Sequence, residues 1–362
     1  MNTKIRKSNI LCWIVSLALL FSGAYALEAT DRDSDSIICS AAATERVEKY
    51  KDVKVYAGGI PFGIRFRTSE VTVIKTNSFL SDGIAVSPAE DAGILPEDII
   101  KSVNGKAVGS ISEILEAINA SPNHPLSVTL LRNRKEISIQ LLPQKSDESG
   151  DFRLGVLLRD SSAGIGTVTY INSDNFAFAG LGHGICDSES GKVIPIRGGY
   201  VSNVHINGIN KGKIGEPGEL RGSFENEKCG KLLSNTDVGV YGIYTDRPAL
   251  TGKPIPVAEQ WEVEVGKATI LCTLDDNRRT EYEIEIAEIN HDNSAKTKNY
   301  VVKVTDPVLL EKTGGIVQGM SGSPILQKGK LIGAVTHVMI NDPTTGYGIY
   351  IGNMLDEMQH YM

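Results

Sequence analysis

No two of the five cysteines (Cys12, Cys39, Cys186, Cys229 and Cys272) stand in a C-x-x-C pair. Zinc therefore has no support from spacing, and the sequence asks for neither metal nor cofactor. The four cysteines after Cys12 are too widely spaced to predict a bridge, although export would permit disulfides. A cationic excess is also missing. The chain has 37 Lys and Arg against 44 Asp and Glu, a net charge of −7 and a pI near 5.5. That balance argues against nucleic acid as a partner. Histidine is scarce, with six in all, so each one can be weighed individually.

Glycine, in contrast, is abundant. The 37 glycines in 362 residues exceed the usual share of roughly 7% and point to a turn-rich, mainly β chain. The length suggests about two domains. Lys4, Arg6 and Lys7 precede an apolar run at 10–21, followed by Ser22-Gly23-Ala24-Tyr25-Ala26. Positive flank, apolar core and small-residue exit form the pattern of an export signal. The 1–26 segment is read as a signal peptide or, uncleaved, as a membrane anchor, with the bulk of the chain outside. Residues 27–51 are charged, lack apolar periodicity and read as an exposed linker.

Residues 52–143 have a pattern of their own. A loop at 58–63 enters an alternating strand at 64–66. Ser87-Pro88-Ala89-Glu90-Asp91-Ala92-Gly93-Ile94 reads as a short helix ended by glycine. Asp98-Ile99-Ile100-Lys101-Ser102-Val103-Asn104-Gly105 reads as a strand closed by an Asn-Gly turn. Apolar residues at 111, 114, 115 and 118 have helical spacing. The S-P-A-x-x-A-G-I and D-I-I-x-x-V-N-G segments resemble a bacterial PDZ domain. That resemblance implies a peptide or C-terminus added as a strand to a sheet edge. The matching positions are Pro61, Phe62, Gly63, Ile64 and Phe66, with Ile111 and Leu115 on the facing helix. Residues 144–150, Q-K-S-D-E-S-G, read as a polar linker.

From 151 to 362, short alternating strands are separated by glycine, asparagine and proline. Helical periodicity is strong only at 354–361. This suggests a β-barrel or sandwich, and a pair of six-stranded barrels suits the length. Gly319-Met320-Ser321-Gly322-Ser323-Pro324 places a serine among glycines. A tight turn there would expose the Ser321 hydroxyl and aim the N–H groups of Gly319 and Ser321 at one point, as an oxyanion hole needs. His183, in Gly182-His183-Gly184, is the candidate base, and His337 is its only serious rival. Two aspartates compete to orient it. Asp237 stands at the mouth of an apolar strand, as the triad acid does in chymotrypsin-like proteases. Asp306 precedes Pro307, fifteen residues before Ser321.

The order of these motifs is specific. An export segment, one PDZ domain, G-H-G-I-x-D, P-G-E-L-x-G at 217–222, T-D-P-x-L-L at 305–310 and G-M-S-G-S-P resemble the stage IV sporulation protein B (SpoIVB) family of serine peptidases of endospore-forming bacteria. The resemblance spans nearly the whole chain. It implies a mainly β chain with a signal or anchor, a PDZ domain and a chymotrypsin-like double β-barrel. It also implies a triad of His183, Asp306 and Ser321, whereas barrel topology favours Asp237. The implied role is in sporulation signalling. The enzyme would cross the forespore membrane into the intermembrane space, secreted or anchored. There it would cleave a membrane-bound regulator of an intramembrane protease, allowing late mother-cell sigma factor activation. Self-cleavage within 27–51 is implied as well. Met320 replaces the aspartate of G-D-S-G-G-P, so activation by an ion pair to a freed N-terminus is not available and the PDZ domain becomes the candidate regulator. Gly315, six residues before Ser321, offers no pocket acid, while Ile316 and Val317 suggest an apolar pocket. A non-catalytic PDZ scaffold and a chaperone-like binder of exported proteins are the rival readings.

Overall fold

Apolar and polar residues alternate through a 16-residue strand, β1 (Pro61–Thr76). Its first half buries Phe62, Ile64 and Phe66 in one core, and its second half buries Val71 and Val73 in another. The computed structural model describes residues 48–187, 191–246, 248, 252–292 and 296–361. The signal or anchor at 1–26, most of the linker at 27–51, Cys12 and Cys39 lie outside them. Among the described cysteines, Cys186, Cys229 and Cys272 are free thiols.

The second half of β1 belongs to the PDZ domain. It pairs with β2 (Ile99–Val103). The helix α1 (Ile111–Ala120) follows, with Ser110 accepting from the Glu113 N–H as its N-cap. Then come β3 (Leu126–Arg132) and β4 (Lys135–Leu141), giving the order β1-β2-β3-β4. Ile114 and Ile118 of α1 pack with Val71, Ile100, Val128 and Leu130. Asp98, which is buried, is held by Arg132 at 2.6 Å.

The next strand, β5 (Val156–Asn172), spans both cores as β1 does. Residues 156–159 pair with the PDZ half of β1, and 161–167 pair with its first half. β6 (Ala177–Gly180), β7 (Ile196–Asn210), β8 (Glu219–Thr236) and β9 (Gly239–Tyr244) follow. Pairings β1–β5, β5–β6, β6–β9, β9–β8, β8–β7 and β7–β1 close a six-stranded ring. A second closed barrel runs β10 (Gly266–Thr273), β11 (Arg279–Ile289), β12 (Tyr300–Val304), then β15 (Asp342–Tyr350), β14 (Lys330–Met339) and β13 (Pro324–Gln327). The helix α2 (Pro307–Thr313) leaves β12. The apolar face of α3 (Ile351–Met358) ends the fold, burying Ile351, Met354 and Met358. The protein is thus mainly β, a chymotrypsin-like pair of barrels with a PDZ domain.

Two expectations are corrected here. The first barrel begins before the PDZ domain, which is an insertion between the barrel's first two strands rather than a preceding bead. Nor do residues 144–150 form a free linker. Gln144–Lys145 pairs with Phe152–Arg153, and the Asp147 carboxylate accepts from the N–H groups of Asp82 and Gly83, both at 2.9 Å. A stretch can be polar because it is a hairpin turn.

The expected peptide edge at Pro61, Phe62, Gly63, Ile64 and Phe66 is also corrected. Ile64 opposes Gly164 on one side and Val201 on the other, so the strand has no free edge there. Phe62 is 1% exposed and meets Phe178 edge-on at 5.7 Å. These side chains are barrel core. Accordingly Phe62→Ala is expected to cost about 3–5 kcal/mol of stability, the usual range for emptying a buried phenylalanine site. Urea denaturation measures it. A residue lining a ligand groove would leave the denaturation midpoint nearly unmoved.

Candidate active site

His183 sits where the first barrel touches the second. After β6, Leu181 and Gly182 both take left-handed backbone conformations (φ +66° and +69°), which turns the chain sharply. A Cβ on Gly182 would lie 2.9 Å from Ile349 Cγ2 and Thr336 Cγ2 of the second barrel. One on Gly184 would lie 2.6 Å from the Thr236 carbonyl oxygen of the first. The glycines flanking His183 are therefore each pressed against a different barrel. Asn235 pins the loop further. Its Oδ1 accepts from the Ile185 N–H at 2.8 Å, and its Nδ2 donates to the carbonyls of Ile185 and Ile194.

The serine turn is gripped from the first barrel. The Thr167 N–H donates to the Ser321 carbonyl at 2.9 Å. The hydroxyls of Thr167 and Thr169 donate to the carbonyls of Gly319 and Gly322 at 2.7 and 2.8 Å. Gly322 has φ +95°, and a Cβ there would fall 1.9 Å from the Thr167 carbonyl oxygen, so a side chain has no space. Gly319 also has positive φ, at +96°. The Met320 N–H is used within the turn, on the Val317 carbonyl. Among the described residues, the N–H groups of Gly319 and Ser321 have no acceptor. Two amides left unpaired beside a nucleophile are what an oxyanion hole requires.

His183, Ser321, Gly319 and His337 line one cavity of about 560 Å³, with apolar walls from Ile316, Val317, Val338 and Ile340. The size suits a segment of substrate. His183 Nδ1 lies 2.9 Å from the Gly184 carbonyl oxygen. A carbonyl only accepts, so the neutral ring carries its proton on Nδ1 and leaves Nε2 free as a base. Ser321 Oγ does not donate to that nitrogen here; it donates to the Thr336 carbonyl at 2.7 Å. The His337 ring packs on His183 with centroids 4.6 Å apart. Both imidazoles therefore line the same cavity.

The two acids are placed differently. Asp306 is the N-cap of α2. Its Oδ1 accepts from the N–H groups of Val308 and Leu309, and its Oδ2 accepts from that of Glu283. β12, which ends before it, and β13, which begins after Ser321, are separated by two strands either way around the barrel. Asp237 lies in the exposed turn between β8 and β9; burial, and after it the Asp237 charge, raises the thiol pKa of Cys186. Neither carboxylate lines the cavity. The structure therefore brings His183, Ser321 and the Gly319 amide together, and leaves both aspartates outside. Of the PDZ residues, Leu115 is half exposed on α1, while Ile111 donates its N–H to Asp160 of β5 at 2.9 Å. Sequence reasoning missed Thr167, Thr169 and Asn235. The first two are readable as an i, i+2 pair on one strand face, but their partners lie some 150 positions away.

A family model described as SpoIVB peptidase S55 matches residues 150–355, more than half of the chain. The chain belongs to that family. A PDZ domain model matches residues 80–132, inside the insertion. A Rhizobium meliloti (strain 1021) protein, provisionally named zinc metalloprotease R01501, is 23% identical over 210 residues. That match covers 51% of this chain and 55% of the relative. Its Agrobacterium fabrum (strain C58) counterpart Atu1380 is 22% identical over 138 residues, covering 36% of this chain and 35% of that one. The chain thus spans about half the length, or less, of the curated relatives it matches. Among the described residues, no cluster of three or more His, Cys, Asp or Glu is arranged to hold a metal. Among solved structures, the active form of the Rv3671c protease from M. tuberculosis is 16% identical, with a TM-score of 0.33, covering 55% of this chain and 74% of that one. Human heparin binding protein is 11% identical, with a TM-score of 0.26, covering 51% and 74%.

Burial pushes the His183 pKa below its ordinary 6.5, with the Gly184 carbonyl pulling the other way. Burial, the His183 charge and Lys298 push that of His337 in the same direction. Unfolded histidine takes up its proton near 6.5. As pH falls below that value the unfolded chain binds more protons than the native one, and stability drops until the native pKa is passed. NMR titration of the His183 ring is expected to give a midpoint below 6.5. A midpoint above it would remove desolvation as the dominant influence on this base.

Proposed function

We propose that this S55-family chain is a serine endopeptidase with Ser321 as nucleophile and His183 as general base. The observation that carries this reading is the seam between the barrels. It presents a glycine-flanked imidazole, a serine and two unpaired amides to one cavity. In the reaction the Ser321 hydroxyl turns from the Thr336 carbonyl to His183 Nε2. It loses its proton there and attacks the substrate carbonyl. The amides of Gly319 and Ser321 receive the oxyanion, and His183 then protonates the leaving amine.

Asp237 is the acid this reading favours. His183 follows the third strand of the first barrel, and Asp237 opens the sixth, close to the loop that carries the histidine. Asp306 is occupied in capping a helix. Engagement by Asp237 requires His183 Nδ1 to exchange the Gly184 carbonyl for the carboxylate. The family resemblance supports the finer role. The enzyme would be exported across the forespore membrane, secreted or anchored by its N-terminal segment. It would cleave a membrane-bound regulator of an intramembrane protease in sporulation signalling, and would cut itself within 27–51. The rival, a non-catalytic scaffold or chaperone-like binder, draws on one observation: no hydrogen bond joins Ser321 to His183.

A serine-directed phosphonate is expected to label the wild type and not Ser321→Ala; labelling of neither, in folded protein, supports the scaffold. Asp237→Asn is expected to lower turnover about 10⁴-fold, the cost of losing a triad acid. Asp306→Asn is expected to cost at most about 1 kcal/mol of stability, as a cap change does, while retaining turnover. The opposite pattern in a peptidase assay would return the role of acid to Asp306.

A further inference from the structure

β5 is paired on one side only for most of its length. Residues 156–167 oppose β1, and pairing with β6 begins at Val168. The direction of its backbone groups can be traced. The Val168 N–H goes to Ile60, on the β1 side. The Thr167 N–H goes to Ser321, and the Thr167 carbonyl accepts from Leu181, both on the opposite side. Groups alternate along a strand, so Ile165 and Ala163 turn their backbone N–H and C=O toward the side occupied by the nucleophile. Ser162, Ala163, Gly164 and Ile165 line the catalytic cavity. No described strand covers this edge.

The same edge continues into the PDZ domain. Its N-terminal part lies beside α1, whose first N–H is held by the Asp160 carboxylate. Just before it, Gly155 is left-handed (φ +71°). The carbonyls of Leu154 and Gly155 are taken by the N–H groups of Ala89 and Asn77. The N–H groups of Leu154 and Gly155 themselves have no acceptor among the described residues. Adjacent free amides at a left-handed turn form a nest for an anion. Leu115 on α1 and Leu157 on β5 each leave about half of their surface exposed (50% and 48%).

We propose that substrate on the C-terminal side of the cleaved bond adds to this edge as an antiparallel strand, reaching from Ile165 to Gly155. Its own terminal carboxylate then rests on the Leu154–Gly155 amides. This rests on the peptidase reading and adds a ruler to it. An antiparallel chain that starts at the cavity must run toward Gly155, ending carboxylate-first at the nest. Ten positions separate 165 from 155, which is about 33 Å of extended chain. The occupant is a peptide with a free C-terminus and apolar last residues, and it is the same molecule that is cut. A separate regulatory peptide on this edge would exclude the substrate instead.

The test uses the full chain and two probes. One is a library of peptides about 25 residues long with randomised sequence, made with free or amidated C-termini. The other is a set of acylated apolar tetrapeptide anilides, which have no residues beyond the cleaved bond. Mass spectrometry of the library is expected to place cuts about ten to twelve residues from the free C-terminus. Amidation is expected to slow them at least roughly tenfold, the discrimination expected from losing a charge-assisted contact. Leu115→Lys, at an exposed position, should flatten the distribution. Cuts scattered without regard to the C-terminus, or unchanged by amidation, would overturn the ruler while Ser321-dependent anilide hydrolysis upheld the peptidase. Absence of Ser321-dependent hydrolysis of both probes would overturn the peptidase and the ruler together.

Discussion

The N–H of Thr167 donates to the carbonyl of Ser321, and the side chains of Thr167 and Thr169 hold the carbonyls on either side. Ser321 and His183 belong to different barrels, so only a fixed seam holds them to one cavity. A neutral hydrogen bond nets about 1 kcal/mol, but stripping a donor from a buried carbonyl costs about 1–3 kcal/mol. Both threonines are buried, at 2% and 0% exposure. The seam is therefore held more by the cost of breaking it than by the gain of making it. Gly322 adds a steric condition, since the turn fits against Thr167 only without a side chain.

The strand that forms the seam also begins in the PDZ core. β5 has Leu158 packed near Val73 at one end and Thr169 on the serine turn at the other. With β1 it forms a two-stranded connection between PDZ domain and barrel, and its pairing shifts register where the two halves meet, between Arg159 and Ser161.

Local motifs were legible in the sequence because their physics is local. Gly182-His183-Gly184 and Gly319-Met320-Ser321-Gly322 announce turns where a side chain is barred, and the structure supplies the barring atoms for three of those four glycines at under 3 Å. The PDZ helix at 111–120 followed from its apolar spacing, and the structure adds Ser110 as its cap. Partnership was not legible. Alternation at Ile64 and Phe66 says strand, but the same alternation suits a PDZ edge and a barrel wall, and only pairing with Gly164 and Val201 decides. Residues 144–150 were polar for a hairpin turn. Asp306 before Pro307 carried the ordinary mark of a turn, and the structure makes it the cap of a helix.

How the site rests can be weighed by magnitude. The Ser321 hydroxyl lies on the Thr336 carbonyl, a neutral bond worth about 1 kcal/mol, so turning it toward His183 shifts a population by roughly five-fold. That is far too little for an off-switch, since abolishing activity requires several factors of ten at about 1.4 kcal/mol each. The neighbouring Met320 is fully buried in apolar core, where no charged group can draw the turn into shape. The Gly319 and Ser321 amides have no acceptor among the described residues. His183 rests in the same way, its Nδ1 on the Gly184 carbonyl through a bond of the same neutral kind and its ring packed against His337.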